Sequence, residues 1–166
     1  MFHIVLVTPD IPHNAGAAGR LALATGATLH LVRPLGFSLA DKHVRRTGLD
    51  YWSQVDLKVW DNFAALTAAA EPAAGWWFLS TKAQRSPWQV RFAPGDYLVF
   101  GCETRGLPEE MVVAAGERAL CIPMKPGGIR SLNLATAVGI VLYEAIRQQA
   151  PAWAECAAAP QAGTTS

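Results

Sequence analysis

Short apolar runs alternate with stretches of helical spacing along most of this chain. His3–Val7 (HIVLV), Thr28–Val32 (TLHLV) and residues 76–80 are continuous apolar runs, the form taken by strands buried on both faces of a parallel sheet. Residues 55–60 alternate as a half-buried strand would, and 96–100 and 118–122 complete six strand candidates. About five helices are predicted between and after them. Asn14 is placed as the N-cap of a small-residue helix over 15–25, with Gly26 at its C′ position. A short polar helix is predicted over 39–47, and Asp61 as the cap of an alanine-rich helix running to Glu71-Pro72. Residues 83–94 read as irregular. Pro108 suits the first position of a further helix, with Glu109 and Glu110 set favourably against its dipole. Ser131 is placed as the cap of the last helix, over 131–148. This order predicts an α/β fold, a mostly parallel six-stranded sheet flanked by helices.

Composition narrows the setting. The chain has 166 residues, of which 51% are hydrophobic and only 16% charged. That is apolar for a small domain and predicts a face buried against a partner subunit. Residues 1–149 are expected to form one domain, and the Ala-, Pro-, Gly- and Thr-rich stretch 150–166 a flexible tail. A net charge of +1 gives no global field for nucleic acid, so any such binding needs local patches. The three cysteines (Cys102, Cys121, Cys156) and four histidines lack metal-ligand spacing, so no metal site is expected. The opening apolar run is too short to span a bilayer and lacks a basic leader, which points to a cytoplasmic protein with no membrane partner.

Three segments could carry chemistry, and each follows a predicted strand. Asn14-Ala-Gly-Ala-Ala-Gly19-Arg20 follows the first. It does not match GxGxxG, so a dinucleotide site is disfavoured, and a plain cap with a solvated Arg is the bland alternative. Phe100-Gly101-Cys102-Glu103-Thr104-Arg105-Gly106-Leu107 follows another. Here Gly101 would let a ligand approach the backbone, and the alternative is a surface loop with an ion pair. The third is residues 121–144, a strand end, a Lys125-Pro-Gly-Gly turn and a helix start with Asn133 in its first turn. Its alternative is an ordinary capped helix. In a parallel sheet all three converge on one edge, where ligands bind.

Together the N-x-G-x-x-x-R run at 14–20, the F-G-x-E-x-x-G-L run at 100–107 and the I-P-M…S-L-N-L run at 122–134 resemble the SPOUT superfamily of knotted methyltransferases, in its SpoU branch. Within that branch the likeness is to the single-domain TrmL group, and it covers residues 2–148. It extends to Pro34-x-Gly36-Phe37, Asp41-Lys42, residues 45–51 and Thr81-Lys82. The 125–129 loop departs, being one residue longer and richer in glycine. The resemblance implies a C-terminal trefoil knot and a homodimer through the knot region and last helix. It also implies transfer of a methyl group from S-adenosyl-L-methionine to an RNA ribose 2′-hydroxyl, here the wobble cytidine or modified uridine in the anticodon loop of leucine tRNAs. The alternative within the branch is another tRNA position or ribosomal RNA. Cofactor contacts are implied at Leu79, Gly101, Ile122, Ser131 and Leu132. The catalytic group is implied to be Arg20 with Asn14, Glu103, Ser131 and Asn133, and tRNA contacts are expected from Arg20, Lys42, Arg45, Arg46, Arg105 and Arg130. An arginine is a poor base, so Arg20 reads better as an orienting and charge-stabilising group, with Glu103 as base the other option. A nicotinamide-dependent oxidoreductase and a non-catalytic RNA-binding module are the rivals outside this class.

Overall fold

The computed structural model describes residues 1–39 and 51–149. Six parallel strands form one sheet: β1 (His3–Val7), β2 (Thr28–Val32), β3 (Leu57–Trp60), β4 (Trp76–Leu79), β5 (Tyr97–Phe100) and β6 (Ala119–Leu120), in the order β3-β2-β1-β5-β4-β6. The helices are α1 (Pro12–Thr25), α2 (Phe63–Ala69), α3 (Glu109–Ala115) and α4 (Leu134–Arg147). Strand residues alternate between two cores. Ile4, Leu6, Leu29, Leu31, Leu98 and Phe100 lie with α1 and α4, whereas Val5, Val7, Val32, Tyr97 and Val99 lie with Leu66 of α2 and Leu107 before α3. Side chains pointing to both faces are buried, which is why β1, β2 and β5 read as unbroken apolar runs.

Four caps differ from the sequence reading, and each has a local cause. Helix α1 begins three residues early because Pro12 fits its first turn; Ile11 is the N-cap, and Asn14 is inside the helix. Gly26 does end it, at φ 69°. Asn62, not Asp61, caps α2 by accepting from the Ala65 amide at 2.8 Å. Pro108 stands at the N-cap of α3, one residue before the position expected. Asn133 rather than Ser131 caps α4, accepting from the Thr136 amide at 3.2 Å. The predicted helix over 39–47 and the tail 150–166 lie outside the described residues.

The segment after β4 decides how the end of the chain is held. Strand β6 pairs with β4 on one side, and on the other Leu120 bridges Arg85. The Cys121 amide donates to the Arg85 carbonyl at 2.7 Å, and the Ser80 amide to the Leu120 carbonyl at 2.9 Å. Further on, the same connection meets the end of α4: the Gln148 side chain accepts from the Phe92 amide and donates to the Val90 carbonyl. Strand β6 therefore lies between β4 and the loop that leaves β4.

Candidate active site

The C-terminal ends of β4, β5 and β6 and the start of α4 enclose a cavity of about 480 Å³. This is the size and position expected of a small-molecule site in a parallel α/β sheet. Its apolar wall includes Leu79, Ile122, Met124, Leu132 and Leu134, and Gly101 and Ser131 also line it. Lys82, Arg105 and Arg130 bring positive charge to the same cavity, with Lys82 paired to Glu109 at 3.2 Å.

One chain of hydrogen bonds joins the three segments. The Glu103 carboxylate accepts from the Asp10 amide at 2.8 Å, the Ile11 amide at 3.2 Å and the Asn14 side-chain amide at 2.8 Å. Asn14 Oδ1 in turn accepts from Asn133 Nδ2 at 2.9 Å, and Asn133 Oδ1 caps α4. Thr104 adds a second grip by donating to the Asp10 carboxylate at 2.7 Å. Glu103 thus supplies from a distant loop the cap that α1 lacks in its own sequence, with a negative charge at a helix N-terminus. Asn14 is 4% exposed, and both ends of its amide are used.

Gly101 has a structural reason besides the one expected. A Cβ there would overlap the backbone of Gly106 and Leu107, so its own loop approaches it closely. Gly106, at φ 72°, closes that loop by donating its amide to the Cys102 carbonyl at 2.9 Å. Burial pushes the Cys102 thiol up, but hydrogen bonds from the Arg105 backbone, the Thr104 hydroxyl and the Arg105 side chain outweigh it and hold the thiol below its ordinary value.

The cavity brings together Asn14, Leu79, Gly101, Glu103, Arg105, Ile122, Arg130, Ser131, Leu132 and Asn133 from the sequence-predicted set. Arg20 is not among its lining residues. It lies exposed on α1, with its guanidinium 4.9 Å from the centre of the Tyr51 ring. Asn14 and Arg20 point about 120° apart around the helix, as six residues at about 100° each require. Lys42, Arg45 and Arg46 lie outside the described residues. Sequence reasoning gave no role to Asp10, Thr104 or Tyr51. Only their nearness to the motifs could have flagged them.

A profile of the SpoU rRNA methylase family matches residues 1–143. This chain belongs to that family. Among relatives of the family member, the tRNA (cytidine(34)-2′-O)-methyltransferase of Polaromonas sp. is 48% identical over 150 residues, 89% of this chain and 91% of that protein. One from Burkholderia ambifaria is 45% identical over 152 residues, 89% and 96% of the two chains. A solved structure described as giving insight into 2-OH methylation of C/U34 on tRNA superposes with a TM-score of 0.84 at 52% identity, covering 90% of this chain and 96% of its own. An AdoMet-bound rRNA methyltransferase from Sinorhizobium meliloti superposes with a TM-score of 0.73 at 26% identity, over 88% of this chain and 56% of that one.

The cavity suits the methyl donor on its own chemistry. Among the described residues, no backbone hydrogen bond uses the amides of Ile122, Ser131 or Leu132, which stand beside apolar side chains. A flat heterocycle with hydrogen-bonding edges fits such a wall. Near Arg105 and Arg130, a carboxylate fits too.

Proposed function

We propose that this protein transfers a methyl group from S-adenosyl-L-methionine to the ribose 2′-hydroxyl of the wobble nucleotide, a cytidine or modified uridine, in the anticodon loop of leucine tRNAs. The observation that carries this reading is the joining of three post-strand segments around one cavity by Glu103, Asn14 and Asn133. The named substrates of the similar proteins support it. Residues 1–149 form a single methyltransferase domain, knotted through the 80–96 connection and acting in the cytoplasm.

Leu79, Gly101, Ile122, Ser131 and Leu132 would hold the donor, whose sulfonium supplies an activated methyl group. Their work is placement, since in-line alignment of the acceptor oxygen accounts for much of such a rate. Asn14, Glu103 and Asn133 are positioning residues: they fix α1, the 101–107 loop and α4 to one another. Glu103 already accepts three N–H donors, which favours this role over that of a base. Arg20 stabilises the developing alkoxide and a neighbouring phosphate, as a permanently charged group can. Because Arg20 does not line the cavity of its own chain, the homodimer is part of the proposal. Arg105 and Arg130, with Lys42, Arg45 and Arg46, contact tRNA phosphates, and a single-stranded anticodon loop suits so small a body.

The test is mass spectrometry of nucleosides and fragments after incubating tRNA with the protein and isotopically labelled donor. A label on the wobble ribose of leucine tRNAs is expected; a label on a base, at another position or in ribosomal RNA alone overturns the assignment. In the same assay Arg20→Ala is expected to keep donor binding by calorimetry and lose methyl transfer by at least ~100-fold, the size of one charge-stabilising donor.

A further inference from the structure

We propose that Tyr51 is a positioning residue for the methyl transfer, acting by holding the Arg20 guanidinium on its ring. The inference rests on the reading of Arg20 given above. An exposed arginine has many rotamers, and a group meant to meet a developing charge loses rate for every population that points elsewhere. Arg20 is exposed, yet its guanidinium lies over the Tyr51 ring at 4.9 Å.

The ring and the turn that carries it are each held against α1. The Tyr51 hydroxyl donates to the Gly16 carbonyl at 3.3 Å. Gly16 is four residues before Arg20, so its carbonyl is also the one that the Arg20 amide meets within α1. The ring therefore spans the one helical turn that carries the arginine. The neighbouring Trp52 is seated against Gly19 so closely that a Cβ there would collide with the indole. Gly16 and Gly19 are thus the places where α1 meets Tyr51 and Trp52, and Arg20 comes next in the chain.

The experiment compares kcat, donor affinity and tRNA KM for Tyr51→Leu, Tyr51→Phe, Arg20→Lys and the double variant Tyr51→Leu/Arg20→Lys. Tyr51→Leu is expected to lower kcat about three- to tenfold, in line with the worth of a cation–π contact, with donor affinity unchanged. Tyr51→Phe keeps the ring face and restores most of that loss. In the double variant the tyrosine change is expected to add less than about twofold, because its effect runs through the arginine. Equal losses for Leu and Phe, or full additivity, overturn the proposal while leaving Arg20 in place. A wild-type rate for Arg20→Lys and Arg20→Ala overturns the reading of Arg20 and this inference with it. Should Tyr51→Leu fail to fold, the wild-type protein still decides: NMR of the Arg20 side chain is expected to show ring-current shifts, and unshifted, averaged resonances refute the contact.

Discussion

His30 is 1% exposed on the middle of the sheet, and the two groups that touch its nitrogens set its protonation. Trp60 Nε1 can only donate, and it meets His30 Nδ1 at 3.0 Å. His30 Nε2 must therefore carry the proton and donate to His3 Nδ1, also at 3.0 Å. A second proton would turn the Trp60 contact into two donors facing each other. Burial, with His3 and Lys58 nearby and Asp56 opposing them, lowers the His30 pKa from 6.5 to about 3. The sign follows from linkage. In the unfolded chain the imidazole takes up a proton below 6.5, whereas in the folded one it does not until about 3. The stabilisation is complete above pH 6.5 and is lost as pH falls through that window, by up to about 1.4 kcal/mol per unit. Thermal melts between pH 7 and 4 are expected to fall less steeply for His30→Gln than for the wild type, although the variant starts lower; parallel curves would contradict a neutral His30 in the folded protein. This cluster is remote from the motifs, and its order is set by three strands that no local pattern connects. His3 stacks on Tyr97 and Tyr97 on Trp76, each with centroids 4.2 Å apart, so strands β1, β5 and β4 carry one aromatic row.

At the scale of elements, α4 begins where it does because Asn133 does two things at once. Its oxygen caps the helix through the Thr136 amide, and its nitrogen donates to Asn14 on α1. Asn133→Asp separates them. The carboxylate still caps and is favoured by the helix dipole, but it sets an anionic oxygen against Asn14 Oδ1. The expected result is a melting temperature within a few degrees of wild type and methyl transfer down by ~10-fold or more, the usual penalty for a misplaced site. Asn133→Ala loses both bonds and is expected to lower the melting temperature as well, so equal stability and activity losses in the two variants would argue against a joining role. The motifs themselves were legible in the sequence because, in a parallel sheet, whatever follows a strand arrives at the same edge. N-caps were not, because local rules read the nearest polar residue. Helix α1 is capped by Glu103 from across the sheet, which freed Asn14 to bond sideways. Likewise the reason for Gly101, a backbone crossing by Gly106 and Leu107, appears only when the loop is closed.

At the scale of the whole molecule, the remaining question is what covers the seam between α1 and α4. Buried Leu134, Val138, Val141, Leu142, Ala145 and Ile146 account for one side of α4. On another side Tyr143 is 52% exposed, one turn beyond Gly139, which packs against Leu21 of α1. A two-fold dimer would present this seam to itself, so any charge placed on it meets its own copy. The wild-type protein is expected to sediment at twice 17.8 kDa, and Tyr143→Glu to shift it toward the monomer with loss of methyl transfer. Full activity in a monomer would remove the dimer from the mechanism. If the dimer is needed because Arg20 serves the neighbouring cavity, mixing two impaired proteins should restore function. Arg20→Ala keeps a sound cavity and Asn133→Asp keeps a sound arginine. After exchange of equal amounts, half the dimers are mixed, and one of two sites in each holds both intact parts, giving about a quarter of wild-type activity. No recovery, with exchange verified by native mass spectrometry, would mean that Arg20 works within its own chain, by leaving the Tyr51 ring and turning back toward Asn14.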